Sequence, residues 1–186
     1  PPREPGRILF AARMLRDKGL EDLITAVGIL RERGLSCELD VAGLIDTDTH
    51  TAIPESALQG WHSAGLINWM GSVQDMPKLL ADIDIVVLPT YYGEGVPRIL
   101  IEAASCGRPC VTTDVPGCND IVTDGETGYL VPPKSPQLLA DKIAELLQDR
   151  PLRLAMGQKA RALVVSRFEQ NIVIRETMAT YRQLLS

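Results

Sequence analysis

Short apolar runs alternate with helix-favouring stretches along most of this 186-residue chain, and that alternation limits the fold more than any other feature. Ile8–Ala11, Cys37–Ala42, Ile67–Met70, Ile85–Leu88, Cys110–Thr112 and Tyr129–Val131 predict strands. Leu20–Arg33, Ser56–Ala64, Pro77–Ala81, Pro97–Cys106, Asn119–Thr123 and Ser135–Gln148 predict helices. Strands that alternate with helices build a parallel sheet with crossover connections. The strands are short and mostly apolar, as expected when helices cover both faces. After Gln148 only helices are predicted, Pro151–Arg167 and Gln170–Leu185, an αα tail in an α/β domain.

The length suits one domain with a sizeable core. No apolar stretch approaches the roughly 20 residues needed to span a bilayer. The chain starts Pro1-Pro2-Arg3 without a Met and carries no signal peptide, so it reads as a piece of a longer protein. A net charge of −5 disfavours nucleic acid, whose binding needs a basic face. The charge is uneven, because residues 134–186 hold nine Lys/Arg against five Asp/Glu. A solvated helix surface explains that bias, and contact with anionic lipid or another domain is the alternative. Cys37, Cys106, Cys110 and Cys118 lack metal-binding spacing and read as reduced thiols in a cytosol.

Two glutamates eight residues apart, Glu94 and Glu102, flank Gly95-Val96-Pro97-Arg98-Ile99-Leu100-Ile101 just after the fourth strand. Ligands in α/β sheets sit beyond the strands' carboxyl ends. Carboxylates there, one in the loop and one two turns down the helix, suit a polyhydroxylated ligand. Eight helical residues rise about 12 Å. A glycosidase pair wants about 5–5.5 Å for retention or about 6.5–9.5 Å for inversion. The spacing therefore favours two acids gripping different parts of one extended ligand.

With Cys106-Gly107-Arg108-Pro109, Pro116-Gly117-Cys118-Asn119-Asp120-Ile121-Val122 and Gly125-Glu126-Thr127-Gly128-Tyr129-Leu130-Val131-Pro132, this run resembles glycosyltransferase family 4. Arg13-Met14-Leu15-Arg16-Asp17-Lys18-Gly19 resembles the family segment that holds the donor diphosphate. The resemblance runs from about residue 7 to the end. It implies a retaining enzyme of GT-B architecture, with two Rossmann-like domains, of which this chain is the carboxyl-terminal, donor-binding half. Residues 1–186 would then form one nucleotide-sugar-binding domain, with the acceptor domain absent. The donor would be a nucleoside-diphosphate sugar, UDP being favoured, with no cofactor and no metal.

The resemblance assigns Arg13 and Lys18 to the diphosphate and Glu102 to the ribose hydroxyls. Glu94 becomes the catalytic-site acid, its loop with Gly95, Val96 and Pro97 lying along the donor sugar. Gly71 and Val73, just after the third strand, fall in the segment that meets the base. The family usually has Gly where this chain has Ala12. Independently of the family, cations after a first strand and a helix start beyond them suit a phosphate.

Local wording at Gly93-Glu94-Gly95-Val96-Pro97 and Thr112-Thr113-Asp114-Val115-Pro116-Gly117 resembles bacterial enzymes that extend lipid-linked surface polysaccharides. It implies a glycan or lipid-linked acceptor bound through the missing domain, a cytoplasmic location and peripheral contact with the inner membrane face. Asp82-Ile83-Asp84 and Asp46-Thr47-Asp48-Thr49-His50 look metal-like but read as structural and as a polar loop. The rivals are a nucleotide-sugar epimerase or phosphorylase and a non-catalytic nucleotide-binding interaction domain. An NAD-dependent oxidoreductase is disfavoured, since no G-x-G-x-x-G follows the first strand.

Overall fold

The computed structural model describes residues 6–46, 49–93 and 95–168. Strands and helices alternate up to the fifth strand, in the order β1 (Gly6–Ala11), α1 (Leu20–Glu32), β2 (Cys37–Ala42), α2 (Glu55–Ser63), β3 (Asn68–Gly71) and α3 (Met76–Ala81). There follow β4 (Ile85–Leu88), α4 (Arg98–Ser105), β5 (Cys110–Thr113), β6 (Gly128–Val131), α5 (Pro136–Gln148) and α6 (Arg150–Phe168). The strands form one sheet in the order β3-β2-β1-β4-β5-β6, with every pairing parallel. This is the doubly wound, Rossmann-like order, whose direction of winding reverses between β1 and β4.

β4 and β5 are buried at every position, which is why they read as unbroken apolar or β-branched runs. The hydroxyls within β5 are satisfied: Thr112 donates to the Leu88 carbonyl and Thr113 to that of Thr90, both at 2.6 Å. α1 buries Leu20, Leu23, Ala26, Val27 and Leu30, a helical stripe that packs on the sheet and α5. Each buried leucine contributes about 1.5–3 kcal/mol.

At the sheet's amino-terminal edge, Asp84 accepts the Arg7 backbone N–H at 3.0 Å and the Arg153 guanidinium at 3.0 Å. Arg153 also donates to the Leu146 and Leu147 carbonyls at the end of α5. Asp84 thereby joins β1, β4 and α6. Its place in a D-x-D pattern is structural.

One predicted helix is absent. Residues 119–121 form a turn and 122–123 are irregular, because side chains compete for the backbone N–H groups at either end. Asn119 donates to Asp114, Asp120 accepts the Gly117 N–H, and the Thr123 N–H goes to the Thr127 hydroxyl. The first helix of the tail runs one residue further at each end than predicted, as Arg150–Phe168. The predicted Gln170–Leu185 lies outside the described residues. No described helix is long and apolar enough to cross a membrane.

Candidate functional site

The ladder between β1 and β4 covers two residue pairs, Ile8↔Ile85 and Leu9↔Val86, and beyond it a crevice opens at the carboxyl ends. One lobe of about 340 Å³ has Arg13, Gly43, Val73, Arg98 and Glu102 among its walls. An adjoining lobe of about 270 Å³ is walled by Arg13, Lys18, Pro97 and Arg98 among others. Arg13, Lys18 and Glu102, 89 positions apart in sequence from first to last, thus line two neighbouring lobes that share Arg13, Arg98 and Ile99 as walls.

The segment after β1 bends at Ala12 and Met14 and is pinned through its backbone. Ala12 donates to the Ala42 carbonyl at 3.1 Å, Met14 to that of Leu44 at 3.0 Å, and Arg16 to that of Thr51 at 2.8 Å. Buried Met14 and Leu15 anchor it, leaving Arg13 facing the cleft. Across from it Gly43 has φ 145°, and a Cβ there would stand 1.8 Å from the Ala12 carbonyl oxygen. Only glycine permits that approach. Arg13 is held by Asp46, Nη1 to Oδ2 at 2.7 Å. Sequence reading missed this pair, since Asp46 lay in what read as an unassigned polar loop.

Lys18 ends a 3₁₀ turn, Arg16–Lys18, closed by Gly19 at φ 77°. A Cβ at Gly19 would lie 2.1 Å from the Pro89 carbonyl, so the turn sits directly on the exit of β4. The Asp17 carbonyl accepts the Tyr91 N–H at 2.8 Å and the Thr90 hydroxyl at 3.2 Å. The loops after β1 and β4 are therefore tied together through backbone. Burial pushes the Lys18 ammonium below its ordinary 10.5, and the neighbouring Arg13 charge pushes the same way. A bound anion would offset both effects.

Glu102, on the cleft side of α4, accepts from Arg98 Nε at 2.7 Å; the Arg98 side chain is 88% exposed. The pair is worth about 0.3–0.5 kcal/mol on an exposed helix, so a ligand can displace it. Pro97 caps α4 and aims the helix's N-terminal end at the crevice. Gly71 closes β3 at φ 64° and accepts the Gly43 N–H at 2.7 Å, while Val73 lines the larger lobe. Val96 packs on the core edge, and a Cβ at Gly95 would meet nothing within 4 Å. Glu94 lies outside the described residues.

A further contact was not legible in the sequence. Tyr91 is hydrogen-bonded to Asp22 and its hydroxyl is pushed up to about 12, chiefly by burial. Lys134 stands over the same ring at 5.0 Å. Together they hold the chain just beyond β4. Among the described residues no cluster of three or more His, Cys, Asp or Glu is placed to hold a metal ion.

Residues 5–149 match the family model for glycosyl transferases group 1. The chain is 30% identical to the capsular polysaccharide biosynthesis glycosyltransferase CapM of Staphylococcus aureus, over 95% of this chain and 46% of that protein. It is 27% identical to the N,N'-diacetylbacillosaminyl-diphospho-undecaprenol alpha-1,3-N-acetylgalactosaminyltransferase of Campylobacter jejuni, over 96% of this chain and 45% of that one. Among solved structures, Anabaena HepE in complex with UDP superposes with a TM-score of 0.85 at 23% identity, covering 95% of this chain and 48% of that one. The chain thus spans just under half the length of these relatives. It belongs to the group 1 glycosyl transferases, and its fold is that of a GT-B domain.

Proposed function

We propose that this chain is the donor-binding half of a retaining glycosyltransferase that moves a sugar from a nucleoside diphosphate, UDP being the favoured carrier, to a glycan or lipid-linked acceptor. The observation that carries the reading is the cleft at the β1/β4 switch point, walled by Arg13, Lys18 and Glu102. Arg13 and Lys18 hold the diphosphate and neutralise the charge that develops as it leaves. The ammonium of Lys18, already short of solvent, gains most from that partner. Glu102 exchanges Arg98 for the ribose hydroxyls. Gly71 and Val73 border the base, and Glu94 with Gly95, Val96 and Pro97 orients the sugar.

No cofactor or metal enters the scheme, because guanidinium, ammonium and helix N-termini supply the neutralising charge. Retention of configuration follows from the family alone. The acceptor binds a preceding domain, at the cytoplasmic face of a membrane. The lipid-linked acceptor named for the Campylobacter relative and the capsule pathway named for CapM support this. The rival epimerase and interaction-domain readings gain no specific observation.

Calorimetric titration with UDP, GDP and ADP tests the proposal. UDP is expected to bind best, weakly, and Lys18→Ala to abolish the heat, with no sugar transfer by this chain alone. Equal indifference of the parent and Lys18→Ala proteins to all three nucleotides refutes it.

A further inference from the structure

We propose that the opposite, amino-terminal edge of the sheet carries a second anion site, in which Arg108, Arg150 and Arg153 take a single phosphate group. A cavity of about 180 Å³ lies where α4 ends and α6 begins, and these three guanidinium side chains and the Asp84 carboxylate line it. Asp84 and Pro109 precede β4 and β5, so the cavity is separated from the donor cleft by the length of the strands.

The charges do not balance within it. Asp84 is matched by Arg153, which is 6% exposed and gives further donors to the Leu146 and Leu147 carbonyls. Arg108 donates from Nη2 to the Ala81 carbonyl at 2.7 Å. Among the described residues no acceptor reaches its buried Nε. The accessible end of this guanidinium therefore carries a positive charge that no described carboxylate matches, and its remaining Nη donors are the ones an incoming oxyanion takes. Arg150, the first residue of α6, is exposed at the mouth and adds a third cation. The amides of this helix end are not the attraction, because Asp149 already caps Leu152 at 2.9 Å. The site rests on the guanidinium groups, whose planar forks match phosphate oxygens.

Size narrows the occupant. At about 180 Å³ the cavity falls below the roughly 300–1,000 Å³ of pockets for larger organic ligands. It accepts one phosphate group, either free phosphate or a phosphate carried on a lipid headgroup.

The test is ¹⁵N NMR of the whole 186-residue chain, observing arginine Nε resonances, with UDP present in excess so that the donor cleft is filled. The probe is inorganic phosphate, against sodium chloride of equal ionic strength. The Arg108 Nε signal, assigned by its loss in Arg108→Lys, is expected to move saturably with phosphate only. Arg150→Gln, at an exposed position that leaves the packing alone, is expected to weaken that response about tenfold, the loss of one charge-assisted hydrogen bond. In parallel, flotation with phosphatidylglycerol and phosphatidylcholine vesicles distinguishes the sources. Flotation on the anionic vesicles alone, lost in Arg150→Gln, assigns a lipid headgroup, and a phosphate response without flotation assigns free phosphate. An Arg108 signal that ignores phosphate or follows chloride equally, together with no Arg150-dependent flotation, overturns the proposal.

Discussion

Replacing Gly43 by alanine should damage stability and ligand binding together, because one atom intrudes on the backbone that presents Arg13. The new Cβ would stand 1.8 Å from the Ala12 carbonyl oxygen and 2.6 Å from Met14 Cε. The methionine tip can swing away, but the carbonyl must retreat to 3.0 Å or more. Two hydrogen bonds resist that movement, Ala12 N–H to the Ala42 carbonyl and Gly43 N–H to that of Gly71. Gly43 also has φ 145°, a conformation that costs a non-glycine residue about 1–3 kcal/mol. Adding one weakened backbone hydrogen bond, about 0.5–1.5 kcal/mol, makes a total near 3 kcal/mol. For a chain of this length that lowers Tm by about 6–12 °C. Since Arg13 follows the displaced carbonyl, UDP affinity should fall about tenfold or more, as when one charge-assisted bond is lost. The assays are thermal unfolding by circular dichroism and calorimetric UDP titration. Gly28→Ala is the control: a Cβ there meets nothing within 4 Å, inside α1, and should stabilise by about 0.5–1 kcal/mol. A Gly43→Ala protein that melts within about 1 °C of its parent and binds UDP equally well would refute the reasoning.

Three further outcomes follow from the same geometry. Asp84→Asn strips the partner from buried Arg153 and should cost about 2–3 kcal/mol, below the full cost of breaking a wholly buried pair because Arg153 keeps its carbonyl acceptors; a denaturant midpoint equal to the parent's would contradict it. The lowered pKa of Lys18 has a defined sign: the folded chain holds that proton less tightly than the unfolded chain, so its stability cost at lower pH is relieved as pH rises from the lowered value to 10.5. UDP binding needs the charged form, so affinity should decline once pH passes the lowered value, and Lys18→Arg should abolish the decline. A calorimetric pH series that stays flat up to 10.5 in the parent would count against this. Glu102→Ala should weaken UDP about tenfold while leaving binding of 2′,3′-dideoxy-UDP almost unchanged, since only the former offers ribose hydroxyls. Equal losses for both nucleotides would remove Glu102 from the ribose.

The periodicity of the chain determined most of the architecture. Apolar four-residue runs such as Ile85–Leu88 announce strands covered on both faces, and the buried stripe of α1 announces a helix packed on them. These are local signals, carried by side-chain spacing and burial within one segment. The positions of Arg13 and Lys18 after the first strand, and of Glu102 within the helix after the fourth, were legible for the same reason, while the roles proposed for them came from the family resemblance. The short stretch Asn119–Thr123 was misread because the side chains of Asp120 and Thr127 take up backbone N–H groups at its two ends, a competition that propensity does not resolve. What only the tertiary structure decided is which segments meet. The reversal of strand order between β1 and β4 brings Arg13 and Glu102 to one cleft. The Asp46 partner of Arg13, the Asp17 carbonyl that ties two loops, and the three arginines at the far edge of the sheet come from distant stretches of chain. Contacts of that kind leave no periodic trace in the sequence. They arise because packing a whole sheet fixes where each loop leaves it.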